Sequence, residues 1–154
     1  MTQARVKSIM TDENIIVASV NNTISEAIHF FANKHLQHLP VLDGENLIGI
    51  ISVNDVVHLT AQMLANGEFI SKEVLNNKYA LKDIMTPNPV WVAPETSIAD
   101  ALSILVKGNI QCLPICVENK LVGILSSKDL IKLYAREENP PHTNFEISTP
   151  GFGI

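Results

Sequence analysis

Two seven-residue stretches carry the side chains best suited to holding a ligand: Gly49-Ile50-Ile51-Ser52-Val53-Asn54-Asp55 and Gly123-Ile124-Leu125-Ser126-Ser127-Lys128-Asp129. Each reads glycine, two apolar residues, serine, two variable residues, aspartate. An apolar run that closes on serine predicts a strand passing into a helix. The hydroxyl then lies beside free backbone N–H groups at the positive end of the helix dipole, a setting that attracts anions. The aspartate three residues on has two uses. It can accept hydrogen bonds from a diol such as a ribose, or it can reach back and cap its own helix. Both uses stay open for either copy alone, and duplication in register weighs toward a ligand without removing the cap.

The elements that must position these stretches are themselves duplicated. Pro40, in His38-Leu39-Pro40-Val41, matches Pro114, in Cys112-Leu113-Pro114-Ile115, at an offset of 74 (114 − 40). The same offset relates Ile24 to Ile98, Gln37 to Gln111, Gly49 to Gly123, Ser52 to Ser126 and Asp55 to Asp129. Upstream, Met10-Thr11 recurs as Met85-Thr86 one residue further apart, a slip that a loop absorbs. Each copy predicts a first strand (Ile15 to Val17; Val90 to Val92), rich in β-branched residues. A helix follows, opened by Thr23-Ile24-Ser25-Glu26 and by Ser97-Ile98-Ala99-Asp100, with apolar residues at helical spacing behind each cap. Hairpins are expected at Leu39–Leu42 with Leu47–Ile51, and at Leu113–Val117 with Leu121–Leu125. Closing helices run to about Asn66 and about Glu138. The reading is a mixed α and β chain of two β-α-β-β-α repeats, residues 1–66 and 81–138. Residues 67–80 form a polar linker in which Lys72–Asn76 can add a helical turn, and residues 139–154 form a tail.

Composition sets the class. The chain has 154 residues, 46% of them apolar and 5% aromatic, enough for a core of aliphatic side chains. A formal charge of −5 with scattered Lys and Arg argues against duplex nucleic acid or an anionic membrane as partner. No window is long and apolar enough to span a bilayer, and no apolar run follows Arg5 and Lys7 as a secretory signal requires. A cytoplasmic protein is expected. Cys112 and Cys116 lie four apart in a predicted strand, roughly 13 Å between Cα atoms, too far to bridge. No nucleophile with a base, and no acid pair in one pocket, is evident, so an enzyme is not expected. His35-x-x-His38 lacks a second ligand pair, its in-register partners being Asn109 and Cys112, so no metal is expected. Trp91 could stack on a purine but reads first as a core or dimer contact, and Phe30, Phe31 and Met63 read as packing residues.

The Met-Thr openings, the Leu-Pro-Val and Leu-Pro-Ile strands and the Gly-x-x-Ser-x-x-Asp endings, in that order and twice over, resemble tandem CBS domains, a Bateman module, from about Val6 to Ala135. The resemblance implies two repeats packed with pseudo-twofold symmetry around two clefts. It also implies AMP, ADP, ATP, S-adenosylmethionine or a related regulatory ligand, no other cofactor, and a homodimer. Carried over by position, Asp55 and Asp129 would hold ribose, and Ser52 and Ser126 would lie near phosphate. His38 would contact phosphate, whereas its counterpart Cys112 brings no cation. Lys128 would supply positive charge that the matching Asn54 does not. Residues around Met10-Thr11 and Met85-Thr86, with Ile16 and Val90, would sandwich the base. The expected function is a non-catalytic ligand sensor read by an effector protein. The alternative is a dimerisation adaptor that has lost its ligand.

Overall fold

The computed structural model describes residues 4–137. A 3-10 turn at Val6–Ser8 precedes β1 (Ala18–Ser19), α1 (Ile24–Lys34), β2 (His38–Asp43), β3 (Asn46–Ser52) and α2 (Val53–Ala65). Then come α3 (Lys72–Lys78), α4 (Leu81–Ile84), β4 (Thr86–Pro87), α5 (Ile98–Gly108), β5 (Cys112–Val117), β6 (Lys120–Ser126) and α6 (Ser127–Glu137). The fold is the expected mixed α and β pair of repeats. The tail at 139–154 lies outside the described residues.

Local chemistry explains the helices. At α1 the Thr23 hydroxyl accepts from the Glu26 N–H while the Glu26 carboxylate accepts from the Thr23 N–H, 2.8 Å away, closing a capping box. At α5 the Ser97 hydroxyl accepts from Asp100 N–H at 3.1 Å. Both helices end on a left-handed residue, His35 at φ 53° and Asn109 at φ 48°. Ile24, Ala27 and Phe31 form the buried stripe of α1, and Ile98, Ala101 and Leu105 form that of α5.

The two hairpins pair in equivalent registers, with Pro40 opposite Ile50 and Pro114 opposite Ile124. They meet edge to edge at one pair, Asn46 with Lys120, so a single sheet of order β1-β2-β3-β6-β5 results. Beneath it lie two cores rather than one. Leu39, Val41 and Ile51 centre the first, and Leu113, Ile115 and Leu125 centre the second.

Three expectations change. The first strand of the first copy is Ala18–Ser19, parallel to Val41–Leu42, and not Ile15–Val17. Asn14, in the left-handed region at φ 52°, turns the chain, and the β-branched residues after it are half-buried cover without a ladder. In the second copy the strand shrinks to one bridge between Val92 and Ile115. The segment between repeats is also more ordered than its polarity suggests. Helix α3 buries Leu75 in the first core, and Asn76 holds both the Ser25 hydroxyl, at 2.7 Å, and the Ser25 N–H, at 3.1 Å.

The third change concerns which copy each opening segment serves. Val6, Ile9 and Met10 pack in the second core, although in sequence they open the first repeat. Thr11 pairs with Ile124 of β6, just as Thr86 pairs with Ile50 of β3. Leu81, Ile84 and Met85 pack in the first core. The opening segments are exchanged between the repeats. No helix among the described residues is long and apolar enough to cross a membrane.

Candidate functional site

Two clefts of comparable size open between the repeats. One, about 560 Å³, contains Ser126, Lys128 and Asp129 at the start of α6, faced by Thr11, Ile16 and His38. The other, about 460 Å³, contains Ser52, Asn54 and Asp55 at the start of α2, faced by Thr86 and Val90. These volumes suit a nucleoside-sized ligand. Each cleft takes its strand-to-helix junction from one repeat and part of its far wall from the other. The exchange of opening segments makes this possible, because it brings Thr11 beside Asp129 and Thr86 beside Asp55.

The junctions share one geometry. The Asp55 Oδ2 atom accepts from the Ser52 N–H at 2.7 Å and from the Ser52 hydroxyl at 3.0 Å. The Asp129 Oδ2 atom accepts from the Ser126 N–H at 2.9 Å and from the Ser126 hydroxyl at 2.8 Å. Capping and cleft placement therefore coexist. Both capping contacts fall on Oδ2, so the second carboxylate oxygen takes no part in them. That leaves each aspartate an acceptor atom at the cleft after its helix has been capped.

His38 and Cys112, the matched residues two before the strand prolines, each line both clefts. Burial favours the neutral imidazole and lowers the pKa of His38, with the nearby Asp55 charge opposing the shift. Cys112 is buried, and desolvation reinforced by Asp129 pushes its thiol up to about 12. Cys116 rises to about 11 by burial, and both cysteines are free. The wall between the clefts thus presents a neutral imidazole and a protonated thiol at neutral pH.

Of the residues expected at the site, Met10 and Met85 are the ones that line neither cleft. They serve as packing instead. A Cβ at Gly49 would collide with the Met85 thioether, and one at Gly123 would meet Met10 Sδ at 2.6 Å. The glycine of each motif is the socket for the opposite segment's methionine. Trp91 lies on neither cleft wall and is 39% exposed.

Several lining residues were not singled out from the sequence. Asn14 and Asn88, both left-handed, bend the two opening segments along their clefts. Their recurrence at the common offset was a usable signal, hidden by the slip just before them. Lys132 also lines the Asp129 cleft, one turn beyond Lys128. Its counterpart is His58, so identity between the copies gave no cue.

Comparison with known proteins agrees with this architecture. The CBS domain family matches twice, over residues 6–61 and 81–136. An uncharacterized protein of Methanocaldococcus jannaschii, MJ1225, is 31% identical over 129 residues, which are 83% of this chain and 42% of that protein. The chain spans less than half the length of the first curated relatives it matches. Among solved structures, the CBS domain pair of protein MJ0100 in complex with 5′-methylthioadenosine and S-adenosylmethionine superposes with a TM-score of 0.71 at 27% identity. That alignment covers 88% of this chain and 98% of that one. CBSX2 in complex with AMP gives a TM-score of 0.72 at 24% identity, covering 86% and 97%. With both matched segments falling on the two structural repeats, the chain belongs to the CBS domain family as a tandem pair.

Proposed function

We propose that this chain is a non-catalytic sensor that binds adenosine-containing ligands in its two clefts and reports their presence to an effector protein. One observation carries the reading: each cleft joins a capped Ser-Asp helix start of one repeat to a wall supplied partly by the other. A ligand held at both surfaces favours one packing of the repeats over another, and only such a difference in affinity lets binding shift a conformation. The methylthioadenosine and S-adenosylmethionine of the MJ0100 pair support the adenosine class. In the proposed pose Asp55 and Asp129 accept from ribose hydroxyls, Ser52 and Ser126 lie toward the 5′ substituent of the ligand, and Ile16 and Val90 cover the base. The sensor needs no cofactor beyond this regulatory ligand, and its free thiols suit the reducing cytoplasm.

A homodimer is part of the proposal. Val106 of α5 and Ile131 of α6 are 77% and 67% exposed, apolar side chains that a second copy would cover. Light scattering tests this directly: a dimer is expected, and a monomer at high micromolar concentration contradicts it.

A thermal-shift panel of AMP, ADP, ATP, S-adenosylmethionine and guanine nucleotides tests the sensor. Adenosine ligands should raise the melting temperature as concentration passes Kd, because they bind the native state. No shift with any adenosine ligand would favour the adaptor reading.

A further inference from the structure

The clefts share the wall of His38 and Cys112 and each has an equivalent Ser-Asp helix start, but they differ in charge. The Asp129 cleft contains two lysines, Lys128 and Lys132, against one carboxylate. The Asp55 cleft contains its carboxylate and no lysine or arginine. The matched positions show where the difference arises. Lys128 is replaced by Asn54, and Lys132 by His58, which does not line the Asp55 cleft. Four residues apart on α6, the two lysines share one helix face. Neither makes an ion pair with a carboxylate among the described residues.

We propose that the clefts divide adenosine ligands by charge, the Asp129 cleft taking phosphate-bearing adenosine and the Asp55 cleft taking adenosine derivatives without phosphate. This rests on the ligand-binding reading above and sharpens it. Ribose capture by aspartate is common to both clefts and does not discriminate. A phosphate in the Asp129 cleft meets a helix N-terminus and two cations, and charge-assisted hydrogen bonds are the strong kind. In the Asp55 cleft the same phosphate faces a carboxylate with no fixed cation, and the attraction of the helix start is offset by like charge. A neutral thioether or a sulfonium at that position meets no such repulsion. His38 borders both clefts and therefore leaves the preference unchanged.

Calorimetric titration of the full chain with AMP and with 5′-methylthioadenosine tests the division. The variants are Lys128→Asn with Lys132→His, which copies the first repeat's residues, together with Asp55→Asn and Asp129→Asn. The double lysine change should weaken AMP about tenfold to a hundredfold and leave 5′-methylthioadenosine within about twofold. Both lysines are exposed, so the fold should be unaffected, and an unchanged melting temperature verifies that. Asp55→Asn should weaken 5′-methylthioadenosine alone, and Asp129→Asn should weaken AMP alone. Unchanged AMP affinity in the lysine variant overturns the division, as does competition of the two ligands for one site, and either result leaves the sensor standing. Absence of binding by both ligands overturns the sensor and the division with it.

Discussion

Thr11 and Ile124 exchange two backbone hydrogen bonds, each 2.9 Å long, and so stitch the N-terminal segment to the last strand of the opposite repeat. The Asp129 cleft depends on this seam, since Thr11 forms part of its wall. Stability of the second repeat and ligand binding are therefore coupled to the residues that open the first repeat.

Val6→Ala tests the seam from within the second core. Val6 is fully buried and its N–H donates to the Thr96 carbonyl at 2.9 Å. Truncation should cost about 2 kcal/mol in urea unfolding, in the range for deleting buried methyl groups. Hydrogen exchange should show the loss first in β5 and β6. Equal or earlier loss in β2 and β3 would contradict the exchanged arrangement.

Asp129→Ala and Asp129→Asn separate the two duties of that carboxylate. Alanine removes the acceptor for the Ser126 N–H and should destabilise by about 1 kcal/mol, as lost caps do. Asparagine retains an acceptor oxygen and should keep most of that stability. Both should lose about 1 to 3 kcal/mol of adenosine-ligand affinity, the cost of leaving hydroxyl partners unpaired. Melting curves read the first effect and calorimetry the second.

His38 sets a pH dependence whose sign follows from burial. Its folded pKa is depressed below the ordinary 6.5, so the unfolded chain takes up the proton first as pH falls. Stability should be undiminished above pH 6.5 and decline as pH drops from there through the depressed value. His38→Gln should flatten that decline in urea unfolding between pH 7.5 and 5.5. An unchanged slope would place the effect elsewhere.

Cys112 should be a slow thiol. With its pKa pushed up to about 12, the thiolate is scarce at pH 8, and alkylation of the native protein should run far below that of a free cysteine. Mass spectrometry after iodoacetamide treatment measures it. Rapid labelling of Cys112 would contradict the packing of the wall between the clefts.

Much of this design was legible in the chain itself. Ser52, Asp55, Ser126 and Asp129 advertised their junctions, because strand, cap and helix patterns are local and each occurs twice. The exchange of opening segments was not legible. Met10 opens the first repeat in sequence, and periodicity shows which element a residue builds without showing which copy it docks on. The complementarity of Met10 with Gly123 and of Met85 with Gly49 was present as residue types, but only the close approach of chains gives it meaning. Leu75 was similarly hidden, one buried residue within a polar helix. Lys132 escaped because a search for likeness between copies passes over the positions at which they differ.

A crystal structure grown with AMP and 5′-methylthioadenosine together tests the central claim most directly. Ribose hydroxyls should lie on the carboxylates of Asp129 and Asp55, with adenine against Ile16 in one cleft and Val90 in the other. Ribose bound away from both aspartates, or adenine outside the inter-repeat clefts, would contradict it.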